Sequence, residues 1–223
     1  MAQNKFRGLG IALVTPFQAD GSIDFDHVYF RYSEKNPEWV LRDVNLHIPS
    51  GATVGILGGT GSGKSTLAKR LSRRLQLKMI DTDKRVEMLE GATIADIFYY
   101  QGEEYFREAE RRALESIESE GDVIVATGGG LPTWGDNMAW MREHGVVVYL
   151  RRSAEQILSR LSDYGREKRP MFRGKSDEEL IVFMREQMAQ REKYYAQADI
   201  TVECIALSDD DVVDKIVNAL NNR

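Results

Sequence analysis

The sequence predicts an α/β fold in which helices cover both faces of a parallel sheet, with a β-rich stretch ahead of it. Two observations carry this. From residue 53 onward, short and almost wholly apolar runs alternate with amphipathic ones, as strands buried on both faces and their connecting helices do. Before residue 51 the apolar residues instead alternate with polar ones, which is the period of half-buried strands.

Taken in order, FDHVYFRY (25–32) and LRDVNLHI (41–48) read as two strands joined by the polar loop SEKNPEW, and IPSG turns the chain onward. TVGIL (53–57) is the first apolar strand. The helix after it carries Leu67, Leu71 and Leu75 on one face, with Lys69, Arg70, Arg73 and Arg74 turned outward as a solvated face. LKMI (77–80) is the next strand. Phe106, Ala109, Ala113, Leu114 and Ile117 then mark the buried side of a further helix. VIVAT (123–127), VVVYL (146–150) and DITVEC (199–204) complete the strands. The chain shows no internal repeat and no low-complexity tract.

Composition narrows the class. At 223 residues, 42% hydrophobic and 29% charged, the chain can build one sizeable core or one domain with an extension. A net charge of -5 argues against nucleic-acid binding, which needs a basic surface. Cys204 is the only cysteine, so there is no internal disulfide and no cysteine-based metal cluster. His27, His47 and His144 lie too far apart for metal-ligand spacing. No apolar run reaches membrane-spanning length. Lys5 and Arg7 precede GLGIALVTPF, but that run is short, contains Pro16 and lacks a small-residue cleavage site. A cytoplasmic protein without a membrane partner is expected.

The chemistry begins after TVGIL. Gly58, Gly63, Lys64 and Ser65 satisfy G-x-x-x-x-G-K-[ST] between an apolar strand and an amphipathic helix. Such a loop wraps phosphates with backbone N–H groups and aims a helix N-terminus at them. Lys64 reaches the β- and γ-phosphates, and the Ser65 hydroxyl is a Mg²⁺ ligand. The motif assigns nucleotide binding to Gly58, Gly61, Ser62, Gly63, Lys64, Ser65 and Thr66.

The loop alone does not separate motors, transporters, GTPases and small-molecule kinases. An LSGGQ-like signature and an apolar run ending in Asp-Glu are both absent, as is an NKxD-like base reader. The chain beyond the loop instead carries IDTD (80–83), EYFREAE (104–110), ATGGG (126–130), the basic YGREKRPMFRGK (164–175) and MAQREKYY (188–195). Asp81 and Asp83 leave a strand end near the phosphate loop, where open α/β sheets bind ligands. Arg107 has Glu110 three residues on, able to hold it by an i,i+3 pair. Three consecutive glycines at a strand end suggest close backbone approach to a ligand. The basic segment has the composition of a cationic lid over phosphates.

In that order and spacing, the set resembles shikimate kinase over about residues 53–220. The resemblance implies ATP-dependent transfer to the 3-hydroxyl of shikimate. It implies a five-stranded, nucleoside-monophosphate-kinase-like P-loop fold and a mobile lid at about 162–176. By the same resemblance Asp83 contacts the acceptor hydroxyl as base, and Asp81 supports Mg²⁺. Arg107, Gly128, Gly129, Gly130 and Arg191 bind shikimate, Arg169 stabilises the transferring charge, and Arg160 flanks adenine. Two departures stand out: Lys193 replaces a common proline, and Ser208 to Asp211 lacks a stacking proline. A P-loop kinase for another hydroxylated metabolite, or a nucleotide-binding chimera without turnover, are the alternatives.

The first fifty residues do not belong to that family's usual start. Residues 24–67 resemble the opening of an ABC transporter nucleotide-binding domain, in which Tyr32 would stack on adenine. Residues 8–25 resemble the opening strand and turn of dihydrodipicolinate synthase, without its lysine motif or barrel. The expectation is a chimera: a foreign, poorly integrated extension at 1–50 and a kinase domain at 51–223. A monomer is expected, with the N-terminal strands as the place where self-association would occur.

Overall fold

The computed structural model describes residues 23–30, 41–48, 53–167 and 169–221. The chain divides into two units, Met1–Ser50 and Gly51–Arg223. In the first, β1 (Ile23–Phe30) and β2 (Leu41–Ile48) pair antiparallel, from Ile23 opposite Ile48 to Phe30 opposite Leu41. The register shifts between Phe25 and Val28 and again before Phe30, so the period-two pattern read from the sequence is interrupted by bulges. Tyr32, the SEKNPEW loop and residues 8–22 lie outside the described residues.

The second unit is built on five parallel strands in the order β4-β5-β3-β6-β7. These are β3 (Thr53–Leu57), β4 (Lys78–Asp81), β5 (Val123–Ala126), β6 (Gly145–Arg151) and β7 (Ile200–Glu203). Each sequence-read strand is present, with ends moved by one or two residues. Val54, Ile56, Leu57, Val123, Ile124, Val125, Val148 and Leu150 are buried, as strands covered on both faces require. The chain leaves β3 toward β4 and leaves β6 toward β7. Their shared carboxyl end is therefore a topological switch point.

Helix α1 (Lys64–Leu75) buries Leu67, Leu71 and Leu75 as its spacing predicts. Its basic face is not simply solvated: Arg70 and Arg74 pair with Asp210 and Asp214 of the C-terminal helix. Helices α2 (Thr82–Glu90) and α3 (Ile94–Glu115) share a separate core of Val86, Ile97, Phe106, Ala109 and Ala113. Helix α3 breaks at Gly102, whose φ of 84° and ψ of 178° lie in a region open essentially to glycine alone. Helix α4 (Asn137–Glu143) comes after the ATGGG turn, and Asn137 donates to the Leu131 carbonyl at 2.9 Å.

Gly55 sits in the central strand without a side chain. A cavity of about 320 Å³ lies beside it, walled by Leu114, Ile117, Val125, Trp140 and Met141.

Helix α5 (Ala154–Ser159) leads into the basic segment, which is more ordered than its composition suggests. It forms α6 (Asp163–Glu167) and a 3-10 turn at Pro170–Phe172 before α7 (Asp177–Tyr195). Phe172 is buried with Ala154, Ile157, Leu180 and Met184, so the segment is anchored by an aromatic side chain. Helix α8 (Asp209–Asn221) closes the chain, with Cys204 buried just ahead of it. No helix among the described residues is long and apolar enough to cross a membrane.

Candidate active site

The phosphate loop joins β3 to α1 at the switch point. Gly63, the residue before the helix, has φ of 88°, so the turn into α1 needs a residue without a Cβ. Lys64 is buried, and its ammonium donates to the carbonyls of Gly58 at 2.9 Å and Gly59 at 3.1 Å. Burial draws its pKa down to about 8, opposed by Asp83 and helped by Arg191 and Arg169. Ser62 is fully buried and its hydroxyl has no protein partner, while Ser65 and Thr66 face outward.

Strand β4 delivers the aspartates. Asp81 caps α2, its Oδ1 accepting from the Asp83 backbone N–H at 3.2 Å, while its Oδ2 accepts from the Ser65 hydroxyl at 3.0 Å. One carboxylate therefore both orients the helix that carries Asp83 and meets the loop serine. A hydroxyl beside a carboxylate is a hard oxygen pair of the kind Mg²⁺ takes, and Mg²⁺ needs only one or two protein ligands. Among the described residues no group of three or more His, Cys, Asp or Glu could hold a metal ion. Burial and the Asp81 charge push the Asp83 carboxyl above the usual carboxylate range, against the pull of Lys64.

The ATGGG turn after β5 packs onto these groups. The Gly128 N–H donates to the buried Thr82 hydroxyl at 2.8 Å. A Cβ on Gly128 would stand 2.7 Å from Asp83 Oδ1 and 2.9 Å from Glu110 Oε1; one on Gly130 would stand 2.5 Å from Arg107 Nη1. The glycines are thus present because charged side chains close in on the backbone.

Arg107 donates to Glu110 at 2.6 Å and to Glu103 at 3.0 Å, so the expected i,i+3 pair forms. Burial lifts the Glu110 carboxyl to about 7, and Arg107 holds it against a further rise. Arg191, from α7, donates to Gln187 at 2.7 Å and comes within 3.0 Å of where a Gly129 Cβ would be. Asp83, Arg191 and Arg107 thus close on Gly128, Gly129 and Gly130 in turn, and Lys64 lies near enough to Asp83 and Arg191 to feel both charges.

Two further arginines lie near the phosphate loop and Lys64. The Arg169 guanidinium donates to the Gly165 carbonyl at 2.6 Å and lies over the Phe172 ring, half-buried and with its pKa lowered by that burial. Arg160 donates to Asp209 at 2.6 Å and sits 3.6 Å from the would-be Cβ of Gly63. Asp209 also faces the buried Arg152 at 3.7 Å. Thr82, Asp209 and Tyr195 were not singled out by the sequence. Thr82 and Tyr195 do lie inside the quoted IDTD and MAQREKYY, and their signal was burial at a ligand-facing strand or helix end.

The shikimate kinase family model matches residues 60–221. A shikimate kinase of Parabacteroides distasonis is 37% identical over 167 residues, covering 75% of this chain and 96% of the relative. The crystal structure of shikimate kinase from Bacteroides thetaiotaomicron superposes with a TM-score of 0.69 at 31% identity, over 77% of this chain and 97% of that one. The enzyme from Acinetobacter baumannii in complex with shikimate gives 0.68 at 29% identity, over 77% and 93%. With a loop lysine, a capped aspartate pair and an arginine-lined glycine turn in that order along a matching sheet, the chain belongs to the shikimate kinase family.

Proposed function

We propose that the chain transfers the γ-phosphoryl group of ATP to the 3-hydroxyl of shikimate, giving shikimate 3-phosphate and ADP. The observation that carries this is the convergence on the glycine turn of Asp83, Arg191 and Arg107, with Lys64 close enough to Asp83 and Arg191 to feel their charges. The Acinetobacter baumannii relative was crystallised with shikimate, which supports the acceptor.

In this reading Arg107 and Arg191 bind the shikimate carboxylate, a planar anion that suits guanidinium. Gly128 to Gly130 let its ring approach the backbone. Asp83 accepts the proton of the attacking hydroxyl as the new O–P bond forms and the bond to the ADP oxygen breaks. Its raised pKa suits a group that must take up a proton. Lys64 leaves the Gly58 and Gly59 carbonyls for the phosphates. Arg169 swings from the Gly165 carbonyl onto the transferring group, and charge neutralisation of this kind is most of what phosphoryl transfer requires. Ser65 and Asp81 would hold Mg²⁺, which would supply further charge neutralisation. Gly58, Gly61, Ser62, Gly63 and Thr66 wrap the phosphates, and Arg160, held by Asp209, flanks the base.

The enzyme is read as a cytoplasmic monomer, with domain 51–223 as the kinase and 162–176 as its lid. Residues 1–50 are read as a foreign extension whose strands are the surface for any self-association. Their likeness to an ABC ATPase over 24–67 and to dihydrodipicolinate synthase over 8–25 supports a chimeric origin.

The test is ADP release from Mg-ATP by the full chain, with and without shikimate. Release that depends on shikimate is expected; ATP binding without any such dependence would remove shikimate as the acceptor.

A further inference from the structure

The second tyrosine of MAQREKYY, Tyr195, ends α7 with its ring buried against Tyr149, centroids 5.1 Å apart. Its hydroxyl lies 2.6 Å from the Gly129 carbonyl and 3.2 Å from the Gly58 carbonyl. It thus stands between the phosphate loop and the glycine turn, the two backbone segments that the proposed reaction must bring together. A phenol has one hydrogen, so the two carbonyls compete for it. Gly58 already receives the Lys64 ammonium at 2.9 Å, which leaves the tyrosine proton to Gly129, the nearer oxygen. The arrangement is balanced only while Lys64 stays on the loop. A lysine that turns to phosphate strips Gly58 of its better donor, and a buried carbonyl is costly to leave bare.

We infer that Tyr195 is a positioning residue that trades acceptors during the cycle: its hydroxyl moves from the Gly129 carbonyl to the Gly58 carbonyl as Lys64 moves to the nucleotide. Gly58 stays satisfied, and the Gly129 carbonyl is released to accept from an acceptor hydroxyl. No bond to phosphorus and no net proton transfer is involved; one hydrogen bond is exchanged for another. The nucleotide side thereby prepares the acceptor side through one side chain. The inference rests on the ATP and shikimate assignments above.

The test uses the full chain and measures shikimate affinity by calorimetry, with and without the Mg²⁺ complex of a non-hydrolysable β,γ-imido ATP. In the unaltered chain the analogue should tighten shikimate binding by about fivefold or more, an ordinary size for coupling between sites. Tyr195→Phe keeps the ring and removes only the hydroxyl. It should bring that ratio to about one, because the Gly129 carbonyl is then free with or without nucleotide, and shikimate affinity without nucleotide should shift toward that of the nucleotide-bound unaltered chain. Tyr149→Phe is the control, because it also loses a phenol hydroxyl, bonded at 3.0 Å to Glu192, but reaches neither loop. It should keep the ratio of the unaltered chain.

An unchanged ratio in Tyr195→Phe overturns the inference, as does no coupling in the unaltered chain or an equal loss in Tyr149→Phe. If the unaltered chain shows no shikimate-dependent ADP release, the reading beneath falls, and the inference with it. Release together with an unchanged ratio in Tyr195→Phe removes the inference alone.

Discussion

Burial shifts the titration of Lys64 and Asp83, the two groups to which the proposed transfer gives charge and base roles. Lys64, drawn down to about 8, is cationic in the free protein only below that pH, and Asp83 must be ionised to accept a proton. kcat/KM for ATP should therefore fall as pH rises through about 8, and fall again on the acid side as Asp83 protonates. A pH-rate profile checks both limbs. Stability should move the opposite way on the alkaline side. Between about 8 and the 10.5 of a free lysine the unfolded chain holds the extra proton, so the folding free energy should improve with pH across that window. Denaturant unfolding of the parent against Lys64→Met isolates that slope. Lys64→Ala and Asp83→Asn should each lower turnover by about a hundredfold or more, the usual size for lost charge stabilisation or base function. Gly130→Ala pushes a methyl into Arg107 and should raise KM for shikimate more than it lowers kcat. Lys64, Asp81, Asp83 and Arg107 can be proposed from the sequence because they sit at fixed spacings within short motifs. Thr82, Tyr195 and Asp209 act on partners far along the chain, through backbone groups or another side chain, and spacing does not encode that.

At the scale of elements, the strands were legible because burial on both faces leaves almost no polar residue in them. Two features were not. The basic segment at 164–175 reads as loop from its run of charges, yet Phe172 pins it into a hydrophobic cluster, and a single aromatic among basic residues carries little periodic signal. The break in α3 is equally hidden, since one glycine inside a helical pattern is compatible with an unbroken helix. That break turns the chain ahead of Phe106 and Arg107. Gly102→Ala should cost about 1–3 kcal/mol, because its backbone angles are open essentially to glycine alone. A thermal melt together with a raised KM for shikimate would show that the break serves to aim Arg107. Gly55→Ala points the other way. Its Cβ would meet only Met141 Cε, at 3.4 Å, beside an existing cavity. The substitution should stabilise by about 0.5–1 kcal/mol, since glycine in a strand interior loses more freedom on folding than alanine does. Chemical denaturation reads that gain.

The whole molecule consists of two units, and every group given a role in the proposed transfer lies in the second. A chain beginning at Gly51 should melt in one cooperative transition and keep shikimate-dependent ADP release within about twofold of the full chain, as expected for a unit with its own core. Activity gained on truncation would mean that the extension obstructs the site. Cys204 offers a way to watch that second unit from within. It is the chain's only thiol, it is 1% exposed, and burial pushes its pKa upward. It lies where the outermost strand, β7, hands over to α8. A disulfide reagent can reach it only when that edge opens, so the labelling rate under native conditions is a clock for the breathing of one edge of the sheet. Because Asp209 begins α8 and holds Arg160, slower labelling with ATP bound would mean that the nucleotide quiets the same edge.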